Sequence, residues 1–106
     1  MNKIKIQWTA EARTRWLETA SYIRQEWGID ALRKYRDSTK SWQNNLEVFP
    51  EVGSIEPLLA NRSRLYRSIV ICEHNKLIYY IEDKTIYIVD FWDTRREPTA
   101  QASKIK

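Results

Sequence analysis

Cysteine occurs once, as Cys72, so no disulfide can form within the chain. The stapled frameworks of small secreted domains are thereby excluded, and an oxidising compartment gains no support. With one histidine and two glycines, the sequence has no Cys/His spacing for zinc and no glycine-rich phosphate loop. No paired-carboxylate pattern stands out either, so neither a metal nor another cofactor is expected. No apolar run reaches the ~18 residues of a membrane helix. The start, Met1-Asn2-Lys3-Ile4-Lys5-Ile6, has no apolar stretch of the signal-peptide kind. The expectation is a cytoplasmic protein with no membrane segment. Internal repeats and low-complexity stretches are also missing.

Charge of one sign does not dominate. Eighteen Lys and Arg stand against 14 Asp and Glu, a net +4, which many ordinary domains carry. The surplus lies toward the end: residues 1–61 hold 9 basic and 8 acidic side chains, residues 62–106 hold 9 and 6. Apolar residues make up 42% of the chain, with five Trp and six Tyr. That is enough for one packed core in 106 residues and too little chain for two, so residues 1–106 read as a single domain.

Ile4, Ile6 and Trp8 alternate with Lys5 and Gln7, the period of a half-buried strand. Thr9 then suits a helix N-cap, with Glu11 in the first turn. Ala12, Trp16, Ala20, Ile23 and Trp27 form one apolar stripe, and Gly28 marks its stop. Asp30 can cap a second helix, on which Leu32, Tyr35, Thr39, Trp42, Leu46 and Phe49 alternate steps of three and four. Pro50 ends it. So short a connection folds the helices into an antiparallel hairpin. Residues 50–61 read as a loop with Gly53 and Pro57. Three β-rich runs follow, Arg64–Cys72, Lys76–Glu82 and Thr85–Trp92, joined by short polar turns. The order β-α-α-β-β-β implies an α+β fold: an N-terminal strand pairing inside the sheet, a two-helix hairpin and a three-stranded antiparallel meander. The tail from Pro98 holds a brief helix or frays.

Both faces of these strands are apolar. Tyr66, Val70 and Cys72 oppose Leu65, Ile69 and Ile71, and Leu77, Tyr79 and Ile81 oppose Ile78 and Tyr80. Two helices cover one face. The other is either a partner surface or covered by the loop 50–63 and the tail, and the sequence leaves both readings open.

The chemistry-bearing residues are cations tied to the sheet: Arg62, Arg64, Arg67, Lys76, Arg95 and Arg96, with His74 in a turn. The meander brings His74, Lys76 and Arg95 toward one rim, and Arg67 joins them only on a concave sheet. Opposite strand parity separates Arg64 from Arg67. Trp92-Asp93-Thr94-Arg95-Arg96-Glu97-Pro98 places a Trp, an acid and two Arg after the last strand. That suits phosphate or carboxylate recognition by the planar guanidinium fork, although Asp93 can equally serve as a structural partner for Arg95 or Arg96. Trp8, Trp16, Trp27 and Trp42 fall on apolar stripes and read as core.

Four segments together, Trp8-Thr9-Ala10-Glu11-Ala12, Leu65–Val70, Lys76–Asp83 and Ile86–Pro98, resemble the RelE/ParE superfamily of type II toxin–antitoxin toxins, also known as plasmid stabilisation proteins. The likeness covers nearly the whole chain. It implies a growth-arresting toxin that a cognate antitoxin wraps and blocks, as a hetero-oligomer or with a homodimer. Relatives of the RelE kind cut mRNA in the ribosomal A site with basic residues and no metal; those of the ParE kind poison DNA gyrase. By the resemblance Arg67, Lys76 and Arg95 match basic positions on the second strand, on the third and after the fourth. A second basic position falls on Ile69, and a C-terminal Tyr of the nucleases falls near Gln101. His74 could replace one of these two missing residues as general acid or base. Arg67, His74, Lys76 and Arg95 thus form the candidate catalytic set, with Arg62, Arg64, Trp92 and Arg96 as candidate target-binding residues. RNA cleavage also requires a proton acceptor, and Arg is a poor one, so the nuclease set is incomplete. A binding or scaffold domain of the same fold without toxicity, and a stand-alone nucleic-acid-binding module, are the competing classes.

Overall fold

The computed structural model describes residues 4–95 and 98–105. Strand β1 (Lys5–Trp8) leads into helix α1 (Ala10–Trp27), α2 (Ile29–Val48), the two-residue β2 (Ser54–Ile55) and a 3-10 turn at Pro57–Leu59. Then come β3 (Arg67–Cys72), β4 (Asn75–Glu82), β5 (Thr85–Asp93) and the short α3 (Pro98–Ala102). Thr9 caps α1 as its position demands: its extended backbone lets the side-chain oxygen accept from the Ala12 N–H at 3.1 Å. Gly28 ends α1 at φ +94°, a region that favours glycine.

Gly28 also serves as the N-terminal flank of α2, which begins at Ile29. Asp30, expected as the cap, instead lies in the first turn and faces Arg33 at 3.5 Å. A single glycine breaks the helical path, so no room remains for a separate capping residue. On α2, Tyr35, Thr39 and Leu46 are buried and Leu32 and Trp42 half-buried. Phe49, expected to close the seam, is exposed because it lies past the helix end with φ −127°.

The five strands run in the order β1-β5-β4-β3-β2. The meander β3-β4-β5 is antiparallel as expected, but β1 pairs parallel with β5, from Lys5↔Thr85 to Trp8↔Ile88, and occupies an edge. The sheet is therefore mixed. Chain direction explains this: two helices bring the chain back to the level where β1 ended. The descent through β2 and the following loop then makes β3 rise, β4 fall and β5 rise beside β1. β2, which the sequence reading placed in loop, pairs antiparallel with Arg67 and Ser68 of β3.

Two cores flank the sheet. Under the helices, Ile69, Ile71, Leu77, Tyr79, Ile86, Ile88 and Phe91 pack on Ala12, Ala20, Tyr35 and Leu46. Trp8 meets Phe91 at 5.0 Å and Trp16 stacks on Tyr35 at 5.1 Å. The indole N–H groups donate to Gln43 and Thr39 respectively, so both tryptophans are core residues as expected. On the other face, Tyr66, Ile78 and Trp92 are covered by Leu59, Ala102 and Ile105. Of the two readings left open, the protein's own loop and tail cover this part of the sheet. A register shift between Val70 and Cys72 also moves Cys72 to the helix-side core, while Val70 stays exposed on the other face.

Candidate functional site

The sequence-derived site residues divide among several places. Arg67 opens β3, and its guanidinium donates to the Gly53 carbonyl at 2.8 Å and to that of Glu51 at 3.3 Å. It secures the loop leading into β2. There the Tyr79 hydroxyl donates to the Pro50 carbonyl at 2.7 Å and accepts from the Gly53 N–H at 2.9 Å. Burial pushes the Tyr79 hydroxyl above its ordinary value, and the Gly53 backbone and Arg67 offset part of that rise.

Lys76 points to the opposite face, where it forms an ion pair with Glu56 and lies 5.7 Å from the Trp92 ring centre. Glu56 is 1% exposed. It also accepts from Ser68 Oγ and from the Leu58 N–H, each at 3.0 Å. Burial alone would raise its pKa, but Lys76, the Leu58 amide and Ser68 together hold the carboxyl below the usual glutamate range. Glu56 was not among the sequence-derived candidates. The available signal was its place directly before Pro57, since an acid ahead of proline suits a helical N-cap.

Trp92, taken from the sequence as a target-binding residue, is buried at 3% exposure and donates its indole N–H to Asp90 at 2.9 Å. Asp90 also receives Arg15 from α1 at 3.3 Å. Trp92 is thus core, closed to any partner. Arg62 latches the tail, donating to the carbonyls of Ile105 at 2.9 Å and Ala102 at 3.0 Å. Arg64 sits 4.4 Å over the Tyr80 ring and 3.6 Å from Glu82. Tyr80 in turn stacks on Tyr87 and meets Tyr66 edge-on. Arg96 lies outside the described residues.

His74 and Arg95 do come together. The Thr94 N–H donates to the His74 carbonyl at 2.7 Å, which ties the β3–β4 turn to the end of β5. Both residues line a cavity of about 300 Å³ with Trp27, Lys34, Tyr35 and Cys72. Arg95 is held by Asp93 through two contacts of 3.2 Å and a backbone bond of 2.9 Å. Lys34 lies 3.4 Å from Glu73. The Tyr35 hydroxyl is buried with no hydrogen bond of good geometry among the described residues. Burial raises its pKa strongly, and the Thr19 side chain offsets only part of this. Among the described residues no three His, Cys, Asp or Glu side chains group as metal ligands, and no helix is long and apolar enough to cross a membrane.

Sheet parity accounts for this dispersal. Lys76 stands opposite Trp92 and shares its face, Arg67 faces the helices' side, and His74 lies in a turn. One cationic surface cannot form from these positions.

Residues 6–98 match the family model described as the ParE toxin of type II toxin–antitoxin systems, parDE. The chain belongs to the ParE toxin family. Among solved structures, the chromosomal ParDE toxin–antitoxin system from P. aeruginosa superposes with a TM-score of 0.65 at 13% identity, covering 84% of this chain and 94% of that one. The YoeB dimer from Staphylococcus aureus superposes with a TM-score of 0.56 at 20% identity, again over 84% and 94% of the two chains. At these identities the structural likeness speaks for the fold of the ParE-family chain. No curated protein matches it in sequence.

Proposed function

We propose that this ParE-family toxin arrests growth by binding DNA gyrase, without cutting RNA, and that a cognate antitoxin holds it inactive. The observation that carries the reading is the commitment of the cations. Arg67 is spent on loop carbonyls, Lys76 on buried Glu56, Arg62 on the tail and Arg95 on Asp93. Cleavage through a ribose hydroxyl needs a proton acceptor, a proton donor and free cations around one phosphate. No such convergence occurs among the described residues.

Surface for the antitoxin lies beside the short strand β2. Beyond Ser68 the outer edge of β3 has no strand partner among the described residues. Phe49, Val52, Ile55 and Val70 are exposed nearby. An open edge flanked by apolar side chains suits an added strand or a packed helix.

The endonuclease reading keeps one observation in its favour: Glu56 and Lys76 set a carboxylate against an ammonium on the sheet face away from the helices. Against it, Glu56 is sealed from solvent and held low, which makes it a weak proton acceptor.

The test has three arms. The chain is induced with and without the small open reading frame beside its gene, while purified protein is assayed for inhibition of gyrase supercoiling. Primer extension on translated mRNA reads ribosome-dependent cutting. Arrest relieved by the neighbouring frame, inhibited supercoiling and no new mRNA ends is the expected outcome. New A-site ends with untouched gyrase would establish the nuclease instead, and growth without arrest would leave only a binding or scaffold role.

A further inference from the structure

The two faces of the sheet are closed in unequal ways. On one side lie helices of 18 and 20 residues. On the other, Tyr66, Ile78 and Trp92 are covered by Leu59 of the 3-10 turn and by Ala102 and Ile105. The helix in this covering segment, α3, has five residues, and so short a helix does not hold itself in water. The segment's backbone turns on itself: the N–H groups of Ser103, Lys104 and Ile105 donate to the carbonyls of Thr99, Gln101 and Ala102 at 3.0–3.3 Å. Its order therefore comes from docking.

Side chains supply that docking. Ala102 and Ile105 are buried. Gln101 bridges to the end of β5, accepting from the Asp93 N–H and donating to the Asp93 carbonyl, each at 3.0 Å. Arg62 donates to the carbonyls of Ala102 and Ile105. Both lie at or past the end of α3, where helical donors run out, so a guanidinium from another part of the chain caps the segment. The Arg62 N–H donates to the Leu59 carbonyl at 3.1 Å, which fixes the latch to the rim of the covered face. A cavity of about 80 Å³ has Arg15 and Tyr22 of α1 on one side and Gln101 and Lys104 on the other, so α1 leaves that flank unpacked. Segments with few buried side chains and backbone bonds of their own open at a lower free energy than the core.

We propose that residues 98–105 form a strap, latched by Arg62, that lifts as a unit from the folded sheet and so controls access to the face of Tyr66, Ile78 and Trp92. Closed, the strap presents Ser103 and Lys104 to solvent. Open, it bares an apolar floor beside the ion pair of Lys76 and Glu56. Lifting is a property of the chain itself and does not depend on whether gyrase or the ribosome is the target.

Amide hydrogen exchange read by NMR compares the wild type with Arg62→Met, Ile105→Ala and Arg24→Met. Methionine keeps most of the Arg62 stem and removes its donors. Arg24 is exposed on α1 and controls for the loss of a cation. In the wild type, the amides of Asp93, Ser103, Lys104 and Ile105 should share one protection factor, at least a hundredfold below that of the β4 amides. Arg62→Met and Ile105→Ala should each lower it at least tenfold further while β4 keeps the higher protection, and Arg24→Met should leave it unchanged. Binding of anilinonaphthalene sulfonate, a dye that reports exposed apolar surface, should rise in the first two variants. Equal protection of the strap and β4 amides would overturn the proposal, since the segment would then open only with the whole fold. So would four amides unprotected in the wild type, because the face would then never be closed. Faster exchange without added dye binding would mean that α3 frays in place, and would overturn control of the face. An Arg62→Met chain that matches the wild type in both readouts would overturn the latch.

Discussion

Replacing Glu56 by Gln probes the buried contact that joins the 3-10 turn to the sheet. The carboxylate accepts from Leu58 N–H, Ser68 Oγ and Lys76. A glutamine keeps one acceptor oxygen, loses the charge and turns an amide donor toward another donor. Breaking a fully buried ion pair costs about 3–5 kcal/mol. The Lys76 side chain is 23% exposed and can turn toward water, which reduces that figure to about 2–3 kcal/mol. Urea unfolding at pH 7 should show the loss as a lower midpoint with an unchanged slope. Adding Lys76→Met should recover roughly 1 kcal/mol, because a thioether of similar length then packs near Trp92 where an unpaired ammonium stood. The pH dependence supplies an independent check. Glu56 is held below its ordinary value in the folded chain. Its contribution is therefore complete above the unfolded value, near pH 4.3, and is lost as pH falls through the folded value. The Gln variant should lack that part of the acid limb. A variant within about 0.5 kcal/mol of the wild type, with the same acid limb, would refute the assignment of Glu56 as the tie between turn and sheet.

Three further outcomes follow from local geometry. A Cβ at Gly53 would stand 2.7 Å from the Tyr79 hydroxyl and 3.0 Å from the Ser68 carbonyl, so Gly53→Ala should destabilise by about 1–3 kcal/mol in the same unfolding assay. Asp83 and Lys84 form a two-residue hairpin with φ of 50° and 60°; Lys84→Gly relieves the strained second position and should stabilise by about 0.5–1 kcal/mol. Tyr35→Phe removes a buried hydroxyl that lacks a well-formed hydrogen bond, so its thermal midpoint should hold or rise by a few degrees, corresponding to about 1 kcal/mol or less; a fall of that size would mean that Thr19 satisfies the group.

The local part of the architecture was readable in advance. Thr9 as a cap, Gly28 as a stop and the alternation of Ile78 against Leu77 and Tyr79 depend on neighbours within a few residues. So the helical hairpin and the three long strands were legible, as was the burial of Trp8 and Trp16. Legibility failed wherever long-range partners decide. Two residues of β2 carry no pattern, and the parallel partner of β1 lies about 80 positions away along the chain. Trp16 and Trp27 share one apolar stripe, yet Trp16 packs on the core and Trp27, the last residue of α1, is exposed.

The candidate site shows the same division. Composition determined that no disulfide within the chain, zinc spacing or glycine-rich phosphate loop is present, and strand parity already separated Arg64 from Arg67. Tertiary structure decided which cations were consumed. Lys76 has a distinct partner because the loop before β3 folds Glu56 onto the sheet, and Arg62 because the tail returns across it. Trp92 is lost to the core for the same reason: a strand pattern specifies which face a residue points to, whereas what covers that face depends on chain segments distant in sequence. The pairing of His74 with Arg95 beside Trp27 likewise exists only after β3, β5 and the hairpin tip meet at one end of the molecule.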